Sequence, residues 1–257
     1  MIFTCSFLQL GNNMSDDNKK IDKKNIKSFF EKRAKMHDDS HPLKSVIYQD
    51  KNPMLAKERD MFEKNKIKKI LNISEDDVVL DVGCGIGRWA DGMSNVVKKY
   101  VGIDYTTEFI NIAKKKFKND VNIHFICLDG SKLSNHEVKS HSPYSIIMIL
   151  GLYPYINNEE GYNVLKQVLE VSANESLIVI REPIAVEKEM VLNNVWSNDM
   201  ETYYSARYRT RNWFKKMFDD LLFEAGYKLI IDEALFPDHL NNRKETRQHL
   251  FCLKKIF

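Results

Sequence analysis

Val78-Val79-Leu80-Asp81-Val82-Gly83-Cys84-Gly85-Ile86-Gly87-Arg88-Trp89 is the stretch from which the fold can be read. Its apolar run is too short for a helix and runs into three glycines at alternate positions, then into a helical pattern. That order reads as a buried strand, a tight turn and a helix start. Glycine lets the backbone approach a ligand closely, and a helix following the turn would aim unpaired amides and its positive dipole end at the same point. A negatively charged or hydrogen-bond-accepting ligand is expected there. The dinucleotide fingerprint Gly-x-Gly-x-x-Gly would need its third glycine at position 88, which is Arg88. The spacing found is Gly83-x-Gly85-x-Gly87, with Asp81 two places before the first glycine.

Two further stretches fall in register with it. The apolar run Tyr100-Val101-Gly102-Ile103 ends in Asp104, where a second parallel strand sets a carboxylate beside a ribose. A third strand, Asn122 to Cys127, ends in Leu128-Asp129-Gly130. Together these motifs resemble those of the class I, Rossmann-like S-adenosylmethionine-dependent methyltransferases, over roughly residues 75–257. The resemblance implies an α/β fold: a doubly wound, mostly parallel seven-stranded sheet with helices on both faces, plus an N-terminal helical cap. It also implies a site. The amides around Gly83, Gly85 and Gly87 would hold the methionyl part of the cofactor, and Asp81 its amino group. Arg88 is a candidate for the methionyl carboxylate, or else for a structural ion pair. Asp104 would accept from both ribose hydroxyls, with Tyr105 and Leu150 beside the cofactor. Asp129 would accept from the adenine amino group, or merely cap a turn, with Gly130 leaving room for the ring.

Upstream, residues 1–24 read as a disordered leader, or as one whose start is misplaced, since Met14 opens a polar stretch. Residues 25–74 form the expected cap. Ile26, Phe29, Phe30 and Ala34 make one apolar stripe, and Asn52-Pro53 supplies an N-cap and an N1 proline for a second helix carrying Leu55, Phe62, Ile67, Ile70 and Leu71. By resemblance such helices lie over the cofactor, and the loop between them, Ser45 to Asp50 with Tyr48, is a candidate cofactor or substrate loop.

Downstream, Thr106 or Thr107 caps a helix with Phe109, Ile110, Ala113 and Phe117 inward. Ser145 to Leu150 is an uncharged fourth strand that ends in Gly151-Leu152-Tyr153-Pro154-Tyr155, at the edge where doubly wound sheets bind ligands. Glu175 to Ile180 is the fifth strand, followed by Arg181-Glu182-Pro183. Residues 184–211 then form a long insertion without clean periodicity, which in this family builds the acceptor pocket. Asn212 is placed to cap an amphipathic helix closed by Gly226, and Tyr227 to Ile231 and His249 to Leu253 resemble the family's closing hairpin.

Thirty-nine basic and 36 acidic residues leave a net charge of +3, too small to demand a polyanionic partner. Four cysteines without paired or ligand-like spacing suit a reduced, cytoplasmic setting and no metal. Neither a Pro-Cys pair nor an Asn/Asp/Ser-Pro-Pro-Tyr/Phe motif is present, so base methylation loses its usual signals. The expected function is transfer of a methyl group from S-adenosylmethionine to nitrogen or oxygen of a small polar metabolite. Amino sugars, sugar nucleotides and secondary metabolites of bacterial type are the candidate acceptors, without nucleic acid or membrane, and the chain is expected to be a monomer or homodimer. Tyr153, Glu182 and His239 are the candidate catalytic groups, and Tyr48, Tyr155, Tyr204 and Arg207 the candidate acceptor contacts. The rival readings are a peptide-terminus or RNA methyltransferase, a non-catalytic S-adenosylmethionine-binding subunit, and an NAD-dependent oxidoreductase, which Arg88 disfavours.

Overall fold

The computed structural model describes residues 20–47, 51–198 and 200–256. The leader before residue 20 and the loop residue Tyr48 lie outside the described residues. Seven strands share one sheet: β1 (Val78–Val82), β2 (Lys99–Asp104), β3 (Ile123–Cys127), β4 (Tyr144–Leu150), β5 (Ser172–Ala185), β8 (Tyr227–Ala234) and β9 (Thr246–Lys255). Their order is β3-β2-β1-β4-β5-β9-β8, with β1 to β5 mutually parallel and β9 antiparallel to both of its neighbours. The order reverses between β1 and β4, so the crevice where a doubly wound sheet takes its ligand opens at the carboxyl ends of those two strands.

Alternation along the central strands explains why they read as continuous apolar runs. Leu80, Val82, Ile147, Ile149, Ile178 and Ile180 face α5 (Asn158–Val171) and α6 (Arg211–Phe218). Val79, Tyr100, Ile146, Met148 and Val179 face the other way, toward α2 (Pro53–Leu71) and α3 (Thr107–Lys116). A sheet covered on both faces has no polar side to alternate with.

Three local expectations are corrected. The segment after the glycine turn is not a helix: residues 85–96 form successive turns, with Ala90, Met93 and Val96 amides each bonding the carbonyl three residues back. Gly87, Gly92 and Asn95 have φ of 74°, 86° and 59°, and left-handed residues at that spacing stop an α-helix from propagating. The insertion is ordered as an antiparallel hairpin, β6 (Met190–Ser197) and β7 (Thr202–Tyr208), and β5 extends through Ala185 before it. Thr210, not Asn212, caps α6, accepting from the Trp213 amide.

The N-terminal helices do two different jobs. α1 (Lys23–Lys35) lays Ile26, Phe29 and Phe30 against Phe109 and the β7 residues Tyr204 and Tyr208. α2 instead packs on the sheet through Ile67 and Leu71, and its buried stripe is Ala56, Asp60, Glu63, Ile67 and Leu71. Phe62, expected inside, is 36% exposed. A short helix, α4 (His136–Lys139), completes the elements before β4. Among the described residues no helix is long and apolar enough to cross a membrane.

Candidate active site

A cavity of about 240 Å³ opens at the carboxyl ends of β1 and β4, roofed by Phe30 of α1 and walled by α2, β7 and the segment before β9. At its inner end Asp81, Gly83, Gly85 and Asp104 come together with Tyr105, Leu128, Gly130 and Leu150. Val46, from the connection ahead of α2, sits so close that a Cβ on Gly85 would meet its Cγ1 at 3.1 Å.

The turn amides are not free donors. Gly83 and Cys84 both donate to the Ile103 carbonyl, at 2.8 and 2.9 Å, Gly87 donates to Cys84, and the Gly85 amide donates to Asp104 Oδ2 at 3.1 Å. These four amides are therefore committed within the turn and to Asp104. Gly87 does not line the cavity at all: a Cβ there would lie 2.8 Å from Phe125 Cζ, so its role is to let two rings pack.

The carboxylates carry the chemistry of this end. Asp104 Oδ1 accepts from the Thr106 amide at 2.8 Å, which ties the glycine turn to the start of α3 while the half-buried carboxylate borders the cavity. Asp81 is 1% exposed and accepts from the Tyr100 hydroxyl at 2.5 Å. Burial raises its pKa to about 6 against that hydrogen bond, and burial raises Asp104 as well. A cationic or hydroxyl-bearing ligand would relieve both. Trp89 also lines the cavity, and its buried indole N–H has no hydrogen-bond partner among the described residues. Two carboxylates that need a cation or hydroxyls, a glycine floor and this spare donor fit S-adenosylmethionine.

Arg88 lines the cavity but is committed elsewhere. It donates to Asp60 at 2.6 Å and to Glu63 at 3.1 Å, and Glu63 also accepts from Arg181 Nε at 2.7 Å. Burial alone would raise the Glu63 carboxyl; Arg181 and Arg88 outweigh it and hold it below the usual range. Of the two readings of Arg88, the geometry is that of a structural ion pair. Asp60, Glu63 and Arg181 were missed by sequence reasoning. The signal was present: charges at positions 60 and 63 fall on the same helical face as Ala56, Ile67 and Leu71.

Other expected residues lie away from the cavity. Tyr153 is 1% exposed on the opposite face of the sheet, against Trp213 and Phe214, with its hydroxyl on the Gly161 carbonyl. Glu182 faces that side too, because side chains alternate along β5 and its neighbours Arg181 and Pro183 line the cavity. Its Oε1 accepts from the amides of Gly151, Leu152 and Tyr153, fixing the loop that closes β4. Asp129 caps the turn after β3 by accepting from Ser131 and is not a lining residue. Arg207 is buried in a bidentate pair with Glu189, and His239 is exposed outside the cavity. None of these five reaches the site.

The outer wall joins Tyr155 and Tyr204, both expected, to Tyr208, Phe30, Arg59, Arg243 and Gln248, which were not. The Tyr155, Tyr204 and Tyr208 hydroxyls form a chain with 3.1 Å at each step, and Phe30 packs edge-on to Tyr155 at 4.8 Å.

Strand order, switch-point crevice and the paired strand-end carboxylates define a class I, Rossmann-like methyltransferase fold. Residues 79–175 match the family described as methyltransferase domain. It is 26% identical over 199 residues to an uncharacterized methyltransferase of Oceanobacillus iheyensis, covering 73% of this chain and 85% of that one. Phosphoethanolamine N-methyltransferase 1 of Haemonchus contortus, solved with phosphoethanolamine and S-adenosylhomocysteine, superposes with a TM-score of 0.68 at 17% identity. The match covers 95% of this chain and half the length of that protein. Magnesium protoporphyrin IX methyltransferase of Synechocystis, with bound S-adenosylmethionine, superposes with a TM-score of 0.58 at 13% identity, over 96% of this chain and 100% of that one.

Proposed function

We propose that the chain methylates nitrogen or oxygen of a small polar metabolite in the cytoplasm. The observation that carries this is the roofed cavity, with carboxylates at one end and a wall of tyrosines and guanidiniums at the other. The nematode and cyanobacterial relatives, whose named substrates are a phosphorylated amine and a tetrapyrrole, support an acceptor of the small-molecule class.

S-adenosylmethionine, when bound, supplies an electrophilic methyl on a sulfonium. Holding and drying are then what the protein must provide. Asp104 orients hydroxyls, Asp81 accepts from a cationic amine, and Leu150 and Gly151 bring the end of β4 to the reacting side. Phe30 and Tyr155 exclude water above it. The Tyr155–Tyr204–Tyr208 chain presents hydroxyls that orient an amine or alcohol. Burial raises the Tyr208 pKa, so this hydroxyl stays neutral and serves as donor and acceptor, not as a base. Held by those hydroxyls, the acceptor's nitrogen or oxygen would turn its lone pair toward that methyl and would give up its proton to solvent.

The test is label transfer from radioactive S-adenosylmethionine to fractionated bacterial extract. Label in low-molecular-weight products is expected. Label confined to RNA or protein would overturn the small-molecule reading, and absence of cofactor binding in calorimetry would overturn the site.

A further inference from the structure

Two carboxylates of α2 face three cations. Asp60 accepts from Arg88 at 2.6 Å and lies 3.2 Å from Lys64 Nζ, while Glu63 takes Arg88 at 3.1 Å and Arg181 at 2.7 Å. One positive charge in this group is left without a carboxylate, and Arg181 is where the group meets the cavity with donors to spare. Its Nε is committed to Glu63, yet its two terminal nitrogens make no hydrogen bond among the described residues, although the side chain lines the wall. Arg88, by contrast, spends one terminal nitrogen on Asp60 and the other on Glu63. The Arg181 guanidinium is fixed from two directions: Glu63 holds Nε, and Nη1 lies against the end of β4, where a Cβ on Gly151 would stand 3.2 Å from it. Four of its five N–H donors stay open in one plane, the pattern that matches an oxyanion.

Gln248 supplies a second unanswered group. It lines the same cavity, and its amide Oε1 is buried without a hydrogen-bond partner among the described residues. A buried acceptor of this kind costs free energy that a donor on a ligand would return. In the register of β5 and β9, Arg181 pairs with Leu250 and Pro183 with Gln248, so Arg181 and Gln248 are diagonal neighbours on one face. Diagonal neighbours across an antiparallel pair stand about 7–8 Å apart, within reach of long side chains.

Strand order separates this pair from the cofactor end. Asp104 closes β2 and Asp81 belongs to β1, and β4 intervenes before β5 and β9. At the usual strand spacing, Arg181 stands two strands, about 10 Å, beyond the strand that carries Asp81. A single surplus charge answers a monoanion. We propose that Arg181 and Gln248 form a subsite for the methyl acceptor, which sets a carboxylate on Arg181 and, beside it, an O–H or N–H that donates to Gln248. This rests on the methyl-transfer reading and narrows its substrate class to carboxylic acids with a neighbouring hydroxyl or amino group.

Calorimetry on the full chain saturated with S-adenosylhomocysteine tests this, with acetate and lactate as separate titrants. Wild type should bind acetate, and lactate, which adds a hydroxyl beside the carboxylate, should bind about 3- to 10-fold more tightly. Arg181→Gln should weaken both about 10- to 100-fold, the loss of a charge-assisted pair, while S-adenosylhomocysteine binds as before. Gln248→Leu should keep the acetate affinity and abolish the margin of lactate over acetate. If Arg181→Gln fails to fold, the double variant Glu63→Gln, Arg181→Met, which removes the carboxylate that the substitution would strand, carries the same expectation. Acetate failing to bind wild type, lactate binding no tighter than acetate, or a folded Arg181 variant binding both as wild type does, overturns the subsite. Lost S-adenosylhomocysteine affinity in Arg181→Gln would set the cofactor's own carboxylate on Arg181 and overturn its assignment to the acceptor. Failure of wild type to bind S-adenosylhomocysteine would instead defeat the methyl-transfer reading, and the same titrations on the cofactor-free chain would still judge Arg181 and Gln248.

Discussion

Replacing Glu63 with Gln should destabilise the fold by about 3 kcal/mol, because Glu63 is the shared partner of two buried guanidiniums. It is 4% exposed, with Arg181 at 2.7 Å and Arg88 at 3.1 Å. Removing one member of a buried ion pair costs roughly 3–5 kcal/mol, mostly because the other charge is left uncompensated. Gln keeps the shape and one accepting oxygen, and Asp60 still holds Arg88 at 2.6 Å, so the lower end of that range applies. Urea unfolding at neutral pH reads the loss directly. The double variant Glu63→Gln, Arg181→Met should recover part of it, since the stranded charge is then gone. The acid limb supplies an independent check. Glu63 has a depressed pKa in the folded chain, so its contribution is present above the ordinary glutamate range, near 4.3, and is lost as pH falls through the lower folded value. Glu63→Gln should therefore lose less stability than wild type below about pH 4. A neutral-pH loss under about 1 kcal/mol would refute the network as a structural element.

Asp104→Ala should weaken S-adenosylmethionine binding about 10- to 1,000-fold in calorimetry, by removing a half-buried acceptor that also anchors the glycine turn. Glu182 runs opposite to Glu63: burial raises its pKa to about 7, so the folded chain holds a proton that the unfolded chain releases. Stability should fall as pH rises from about 4.5 toward 7, and Glu182→Gln should flatten that slope in denaturant melts while keeping the carbonyl that accepts from Gly151, Leu152 and Tyr153. Gly87→Ala should cost about 2–4 kcal/mol in urea unfolding, combining a strained φ of 74° with a Cβ 2.8 Å from Phe125.

The sheet was legible because burial on both faces writes strands β1 to β4 as unbroken apolar runs, and the switch-point carboxylate Asp104 followed from strand register alone. What failed was local. A helical apolar pattern after Gly87 conceals Gly92 and Asn95, whose left-handed backbone turns the segment into consecutive turns. Tyr153 and Glu182 looked catalytic because they stand at strand ends, yet a strand end has two faces, and the loop geometry sends both side chains away from the cavity. Asp129 and Arg207 found partners within their own neighbourhoods, in Ser131 and Glu189, contacts that no spacing rule singles out. The outer wall was illegible for a plainer reason: Arg59, Tyr208 and Arg243 come from three segments that only the folded chain brings together.

The buried network also decides which carboxylates at the cavity remain for a ligand. Asp60 and Glu63 of α2 face three cations: Arg88 of the glycine turn, Arg181 of β5, and Lys64, whose Nζ lies 3.2 Å from Asp60 Oδ2. With Asp60 and Glu63 committed to those cations, Asp81 and Asp104 are the lining carboxylates left for a cationic cofactor. On this reasoning Glu63→Gln should loosen α2 while leaving the Asp81–Tyr100 contact, and with it S-adenosylhomocysteine affinity in calorimetry, intact. A clear loss of S-adenosylhomocysteine affinity in a folded Glu63→Gln chain would refute that separation of the network from the inner carboxylates.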